Sequence, residues 1–418
     1  MKQTRLPPLW LGASGAASFT AAAYSLGLWL TLFLSRPVHE DVRLTFVAAV
    51  AGLRYGWQSI YDEATLRSLS AAFPAGAQGI DPVYTYLNPP LLAWLFSPLT
   101  LFTEPVAYVA WTVLSLAVLA VAWYMAAPYA GFARLTLLPL AVGLWPVLLV
   151  LYFGQPTLLV LGLVAAAWWL TAREQQWAAG VALAFATFLK PQDVLLLPLV
   201  LLVSGRYRAV AGWGIGCGVL GIATAAALQP SGLQSWWHAL QLGQAQAAHT
   251  EYTLAHFFGF GILTYALWVV QAAAAVAVAW SRKSDPSTVY AAGILGTVTV
   301  AFHFHELDYS LLVLGAWLFL RSAPPLWQRL ALLPGIVTMQ VMTYGPQATQ
   351  PLWDVLTHAP QLLFDAGWLG ILVAGAFGSD GRRVEDGLAD ARAAVAISVV
   401  EHPALAPNVA DPGVAEHL

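Results

Sequence analysis

The stretch LFLSRPVHEDVRLTF ends a long apolar run and then places His39, Glu40, Asp41 and Arg43 within five positions, in a chain where 9% of residues are charged. A carboxylate just past a hydrophobic segment and ahead of a helical one is partly shielded from water, a setting that suits a general base. Asp41 is the first candidate for that role, with Glu40 as the alternative one position earlier. The same residues also fit a structural role, because HEDVRLTF can place Glu40 or Asp41 as a helix N-cap. Lys190, in ATFLKPQDV, is a lone cation at or near membrane depth beside Pro191. Such residues are costly to bury and are therefore read as functional, the competing reading being a lysine that snorkels to the interface.

AFHFHELDYSLL collects His303, His305, Glu306 and Asp308 at a helix boundary. An HxH with acids can bind a metal, but no second spaced cluster completes a ligand set. No metal or other cofactor is therefore expected, and recognition of a substrate by hydrogen bonds or cationic imidazole is favoured. DPVYTYLNPPLLAWLFSPL puts Tyr84, Tyr86 and Asn88 before Pro89-Pro90, a pair that fits a turn into a helix start. The tyrosines read equally as an interfacial belt. YFGQPTLLV, with Gly154-Gln155-Pro156, reads as a tight turn between spans.

What must position these residues follows from composition. The chain has 418 residues, 59% of them hydrophobic, with a mean hydropathy of +0.68. Its charge is far below the roughly 25% of a soluble domain, and charge-free stretches near twenty residues recur throughout, as helices crossing a ~30 Å hydrocarbon layer require. This is an all-α polytopic membrane protein. Candidate spans fall near 10–34, 88–102, 106–127, 135–152, 155–172, 177–204, 209–229, 257–280, 287–302, 308–321, 329–345 and 361–378, about twelve in all. The first is longer than a signal-peptide core and lacks a small-residue cleavage site, so it is read as a retained span. At Lys190-Pro191 two arrangements are open: one long broken helix, or a hairpin reaching the outer face.

Short connections carrying Arg206 and Arg208, Arg282 and Lys283, and Arg321 and Arg329 orient the bundle with both termini cytoplasmic, leaving Arg134 and Arg173 in short outer loops. Residues 1–378 then form one transmembrane domain. Residues 35–87 and 230–256 are extracytoplasmic, with helices lying flat at the interface in the first of these loops, and 379–418 is a disordered cytoplasmic tail. Seven of nine histidines, His249 among them, fall in or beside outer loops together with most of the acids. A polar site on the outer face is expected.

A net charge of −3 without a basic tract gives no footprint for nucleic acid. No Walker-type loop, dinucleotide fingerprint or serine elbow has a supporting context. The substrate left is one that reaches the outer face through the membrane, a lipid. A transporter or lipid-linked-sugar flippase is the rival reading. Against it stand the missing internal repeat and the acids gathered on one face; Lys190 is the residue that favours it.

In order and approximate spacing, the first span followed by EDVRLTFVAAVAGLRYGWQSIYD, YTYLNPPLLAWLFSPLTLF, FGQPTLLVLGLVAAAWWL, WAAGVALAFATFLKPQDVLLLPL and HFHELDYSLL resembles glycosyltransferase family 87 over roughly residues 10–320. The resemblance implies a GT-C-type bundle and a polyprenyl-phosphate sugar donor, mannose or arabinofuranose foremost. The sugar would pass to a hydroxyl of a glycan, glycolipid or protein on the extracytoplasmic face of a bacterial plasma membrane. It implies Asp41 as the base, Lys190 at the donor phosphate, and His305 and Asp308 as the polar element before a late span. His303, Tyr84, Tyr86, Asn88 and His249 complete the expected substrate contacts. Glu40 stands where a small polar residue is expected, which keeps it as the alternative base.

Overall fold

The computed structural model describes residues 8–35, 39–71, 86–244, 250–342 and 351–378. The tail expected over 379–418 lies outside these residues, as do Tyr84 and His249 and parts of the loops 35–87 and 230–256. The chain divides into two compact units, Met1–Val373 and Ala374–Leu418, and every candidate site residue belongs to the first.

A chain this apolar must satisfy its backbone within its own helices, because hydrocarbon supplies no hydrogen-bond partner. Every regular element among the described residues is helical, and no strand forms there. Five helices are long and apolar enough to cross a membrane: Leu9–Ser35, Glu104–Ala126, Tyr207–Gly243, Ile262–Ser281 and Leu352–Phe377. Gly131–Val142 and Trp145–Phe153 make a sixth if taken as one span bent by 54°. That bend precedes Pro146, which lacks the N–H that would continue the helix. These helices turn apolar faces outward. Ile215, Val219 and Ile222 recur at helical spacing and are each more than half exposed, a surface stable against lipid and unstable against water.

The remaining apolar helices are shorter: Pro90–Leu101, Thr157–Thr171, Gln176–Leu189 and Pro191–Val203. An expectation of about twelve full crossings counted such segments as spans; by length and composition, five or six helices qualify. The segment expected as one span over 177–204 is two helices meeting at Lys190, whose extended backbone (φ −157°, ψ 89°) cannot continue a helix. The chain reverses at this break, because Glu174, before the first helix, acts on Arg206, after the second, as in the hairpin arrangement rather than in one long broken helix. Small residues let its first arm pack tightly. A Cβ on Gly180 would meet the carbonyl of Ala209, and one on Gly212 the carbonyl of Trp177, so Gln176–Leu189 and the helix from Tyr207 touch backbone to backbone.

The segment expected as a span over 88–102 also differs. Pro90–Leu101 reaches about 18 Å at 1.5 Å per residue, short of the ~30 Å core. It packs along the helix Glu40–Tyr55 and hands the chain to Glu104. There Arg43 donates Nε to Oε1 and Nη2 to Oε2 of Glu104, both at 2.8 Å and buried. Glu104–Ala126 then starts near Asp41 and runs to the opposite end, where Ala127 O accepts from Arg321 Nη1 at 3.2 Å.

One consequence is a correction to the expected topology. Arg134 lies beside Arg321 and donates to Tyr124 O. Arg173 stacks on Trp169 at 3.6 Å, and the adjacent Glu174 acts on Arg206, which donates to Lys283 O at 2.9 Å. Ser322 Oγ donates to Asp285 Oδ2 at 2.8 Å. Arg134 and Arg173 therefore share one basic end with Arg206, Lys283 and Arg321, rather than standing among the acids.

This arrangement is testable in sealed vesicles with an impermeant maleimide, in a Cys217→Ser background. Ala130→Cys and Gln175→Cys should label from the same side as Lys283→Cys, and Phe302→Cys from the other. Labelling of Gln175→Cys together with Phe302→Cys would restore the topology expected from sequence.

Candidate active site

At the end opposite the arginines, four interruptions of apolar helices meet. The first is the start of Glu40–Tyr55. Its N-cap is His39, whose Nδ1 accepts from the Asp41 amide at 3.3 Å; neither Glu40 nor Asp41 takes the capping role. Asp41 is thus in the first helical turn, where the amide dipoles favour an anion, and is half-buried. The His39 ring packs edge-on against Tyr152 and Phe153, centroids 4.8 and 4.2 Å away.

The second interruption is the turn after Trp145–Phe153. Gly154 closes that helix in the left-handed region at φ 66°, and a Cβ there would collide with Val42, so glycine is required on both counts. The open carbonyls find side-chain donors: Tyr108 Oη donates to Leu151 O at 2.9 Å and Tyr152 O at 2.7 Å, and Trp111 Nε1 donates to Gly154 O at 2.9 Å. So anchored, the turn aims Gln155, whose Nε2 donates to Asp41 Oδ2 at 2.7 Å. Two residues on, Thr157 begins the next helix, fully buried.

The third interruption is Lys190, 5% exposed. Its Nζ donates to Thr157 Oγ1 at 3.1 Å and forms an ion pair with Asp308. Asp193, one turn further, is also buried, acts on Lys190 by its charge, and finds no hydrogen-bond donor for either oxygen. The fourth is the turn entering Leu311–Arg321. His305 caps the short 3₁₀ segment Glu306–Ser310, and its amide donates to Asp308 Oδ2 at 3.1 Å, while Thr157 Oγ1 lies 3.3 Å from Asp308 Oδ1. His303 and His305 meet edge-on at 5.2 Å. Beside them Glu306 is buried, and burial pushes its carboxyl well above the usual carboxylate range, with Glu251 adding to the effect.

Of the residues singled out from sequence, Lys190 and Asp308 are in direct contact, with His305 bonded to Asp308 through its backbone. Asp41 joins through Gln155 and acts on Lys190 by its charge. Tyr86 and Asn88 stand in a second group: Tyr61 Oη donates to Asn88 O at 2.7 Å, and the Tyr61 ring lies 5.6 Å from both Tyr86 and Trp236. Gln155, Thr157, Asp193 and Glu251 are members of the site that sequence reading misses. Gln155 reads there only as part of a turn, and its signal is a polar residue trapped between a helix-ending glycine and Pro156.

Removing one partner of a buried ion pair strands the other charge, at a cost of about 3–5 kcal/mol. Lys190→Met should therefore lower thermal stability in detergent clearly, and Lys190→Met with Asp308→Asn should regain most of the loss. Equal unfolding midpoints for wild type and Lys190→Met would show that the pair does not hold the helix breaks together.

In chemical terms the site offers an oriented carboxylate, a buried ammonium and two imidazoles around helix ends. That set suits proton abstraction from a hydroxyl beside a departing anion. Searches of curated proteins and of solved structures return no match. The model of Glycosyltransferase family 87 matches residues 86–304, a stretch holding Gln155, Thr157, Lys190 and His303 but neither Asp41 nor Asp308. With just over half of its length matched, the chain belongs to glycosyltransferase family 87, a family of GT-C-type membrane glycosyltransferases.

Proposed function

We propose that this glycosyltransferase moves a sugar, mannose or arabinofuranose, from a polyprenyl phosphate to a hydroxyl of a glycan, glycolipid or protein acceptor. Asp41 takes the proton as the acceptor oxygen bonds to the anomeric carbon. The bond from that carbon to the phosphate oxygen breaks, its electron pair leaving with the polyprenyl phosphate. One such displacement inverts the anomeric configuration. The observation that carries this reading is the turn Gly154–Thr157: Gln155 orients the Asp41 carboxylate while Thr157, two residues on, holds the Lys190 ammonium. Base and cation are thereby fixed to one short piece of backbone. An ammonium has three donors, and Thr157 and Asp308 use two, leaving one for a phosphate oxygen.

Placement in the membrane follows the charges. With the basic end cytoplasmic, the site faces outward, on the extracytoplasmic side of a bacterial plasma membrane. The short helices then cross as pairs completed by their neighbours, giving twelve passes with both termini inside. The prenyl chain lies between helices, and Tyr86 and Asn88 line the approach to the sugar.

The reading is tested by incubating purified protein in nanodiscs with a panel of polyprenyl-phosphate sugars and acceptors, following release of polyprenyl phosphate. Asp41→Asn should lower kcat about 10²–10⁴-fold while Glu40→Gln stays near wild type. Loss in Glu40→Gln alone would move the base by one residue. Counterflow of a lipid-linked sugar without any release would replace the transferase by a transporter.

Gln155 is a positioning residue on this account. Gln155→Ala should lower kcat roughly 10–100-fold, the cost of a misplaced catalytic group, with the KM for the donor nearly unchanged. A rise in KM at constant kcat would instead make Gln155 a binding residue.

A further inference from the structure

Glu251, in the turn before the short helix Leu254–Phe258, reaches the same point as His305 and Glu306 from a loop more than fifty residues away in sequence. Each offers one ligand atom, and these atoms all lie within 4.8 Å of one another. Metal–ligand bonds of roughly 2.0–2.6 Å allow ligands on opposite sides of one ion to be at most ~5 Å apart, so a single cation can touch all three. A second observation points the same way. Glu306 is fully buried, and neither carboxylate oxygen finds a hydrogen-bond donor on another residue. Glu251 is only 1% exposed. Two buried carboxylates facing each other repel unless a proton or a cation sits between them.

We infer that Glu251, His305 and Glu306 form a divalent-cation site. Two carboxylate oxygens and one imidazole nitrogen, with no thiolate, make a hard-to-borderline set that suits Mn²⁺ better than a soft ion, and the nitrogen ligand disfavours Ca²⁺ and Mg²⁺. Three protein ligands leave positions open for water or an anionic oxygen. Because His305 is bonded through its amide to Asp308, one ligand of the cation would also be tied to the Lys190–Asp308 pair. This completes the ligand set that the HxH pattern by itself lacked. A second group, His256, Asp354 and His358, also converges, but there His256 Nε2 and Asp354 Oδ2 already satisfy each other at 2.8 Å.

The test uses the full chain in nanodiscs, stripped with EDTA and titrated with Mn²⁺, with binding read by electron paramagnetic resonance and by calorimetry against Mg²⁺, Ca²⁺ and Zn²⁺. No sugar donor is present, so the outcome is independent of the transfer reaction. Wild type should show one saturable class of Mn²⁺ site, weakened about tenfold or more by Glu306→Gln and by Glu251→Gln and unchanged by His256→Gln. Where a glutamine variant loses its monodisperse gel-filtration peak, Glu251→Asp, which keeps the charge and shortens the reach, takes its place under the same criterion. Absence of saturable binding, binding that survives both glutamate variants, or binding lost in His256→Gln would each overturn the assignment.

Discussion

Lys190 and Asp308 are each too costly to bury alone, and each is buried. That mutual requirement fixes much else. Lys190 marks the break between Gln176–Leu189 and Pro191–Val203, Asp308 belongs to the turn before Leu311–Arg321, and Thr157, which touches both, begins its own helix. Three helix ends must therefore meet at one depth. A one-turn shift of any of them moves its polar group about 5 Å along the helix axis, beyond hydrogen-bond reach. Asp41 is held to the same level through Gln155, because the turn between Gln155 and Thr157 has no slack.

The site sits where helices stop for a reason common to apolar bundles. A polar side chain in mid-helix would face lipid or an apolar neighbour, whereas a helix end already exposes amides and carbonyls that need partners. The structure uses both kinds. Amides at the start of Glu40–Tyr55 and of Glu306–Ser310 face carboxylate or imidazole, while the carbonyls of Leu151, Tyr152 and Gly154 are covered by Tyr108 and Trp111. The arginines do the corresponding work at the other end, where Arg206 and Arg321 donate to the carbonyls of Lys283 and Ala127. Acids at one end and arginines at the other thus follow from which helix termini each end presents and from the topology rule for basic loops.

Four charged members of the site, Asp41, Lys190, His305 and Asp308, were legible in the sequence because charge is rare in this chain and they stand out against apolar surroundings; Asp193, three residues after Lys190, was passed over. Neutral members were not. Gln155 and Thr157 sit in a turn whose glycine and proline explain the local sequence without any function. Glu251 depended on a long-range contact that no spacing encodes. His39 as the cap was concealed by two acids with a stronger preference for that position. Pro90–Leu101 misled for a different reason: an apolar run that folds back along a neighbour has the same composition as one that crosses, and length is its only distinguishing mark. Counting it as a span inverted the next three crossings and put Arg134 and Arg173 at the wrong end.

The family match stops at residue 304, yet the acidic loop and the turn after it are held from behind by a helix further along the chain. Within Pro351–Phe377, His358 is fully buried against the Tyr252 ring, 4.5 Å between centroids. Tyr252 in turn packs on Tyr309 at 5.6 Å, and its carbonyl accepts from the Tyr309 hydroxyl at 3.4 Å. Tyr252 follows Glu251 and Tyr309 follows Asp308, so one late helix braces both carboxylates through their immediate neighbours. Gln361, a turn below, spends its amide on Asp365 at 2.7 Å and its carbonyl on Thr338 at 2.6 Å, which ties the helix to the neighbouring segment Leu333–Gln340. The stretch that carries the family signature supplies the turn and the lysine. The segments on either side of it supply Asp41, Asp308 and the support that fixes them, so the site is a property of the whole bundle rather than of its matched half.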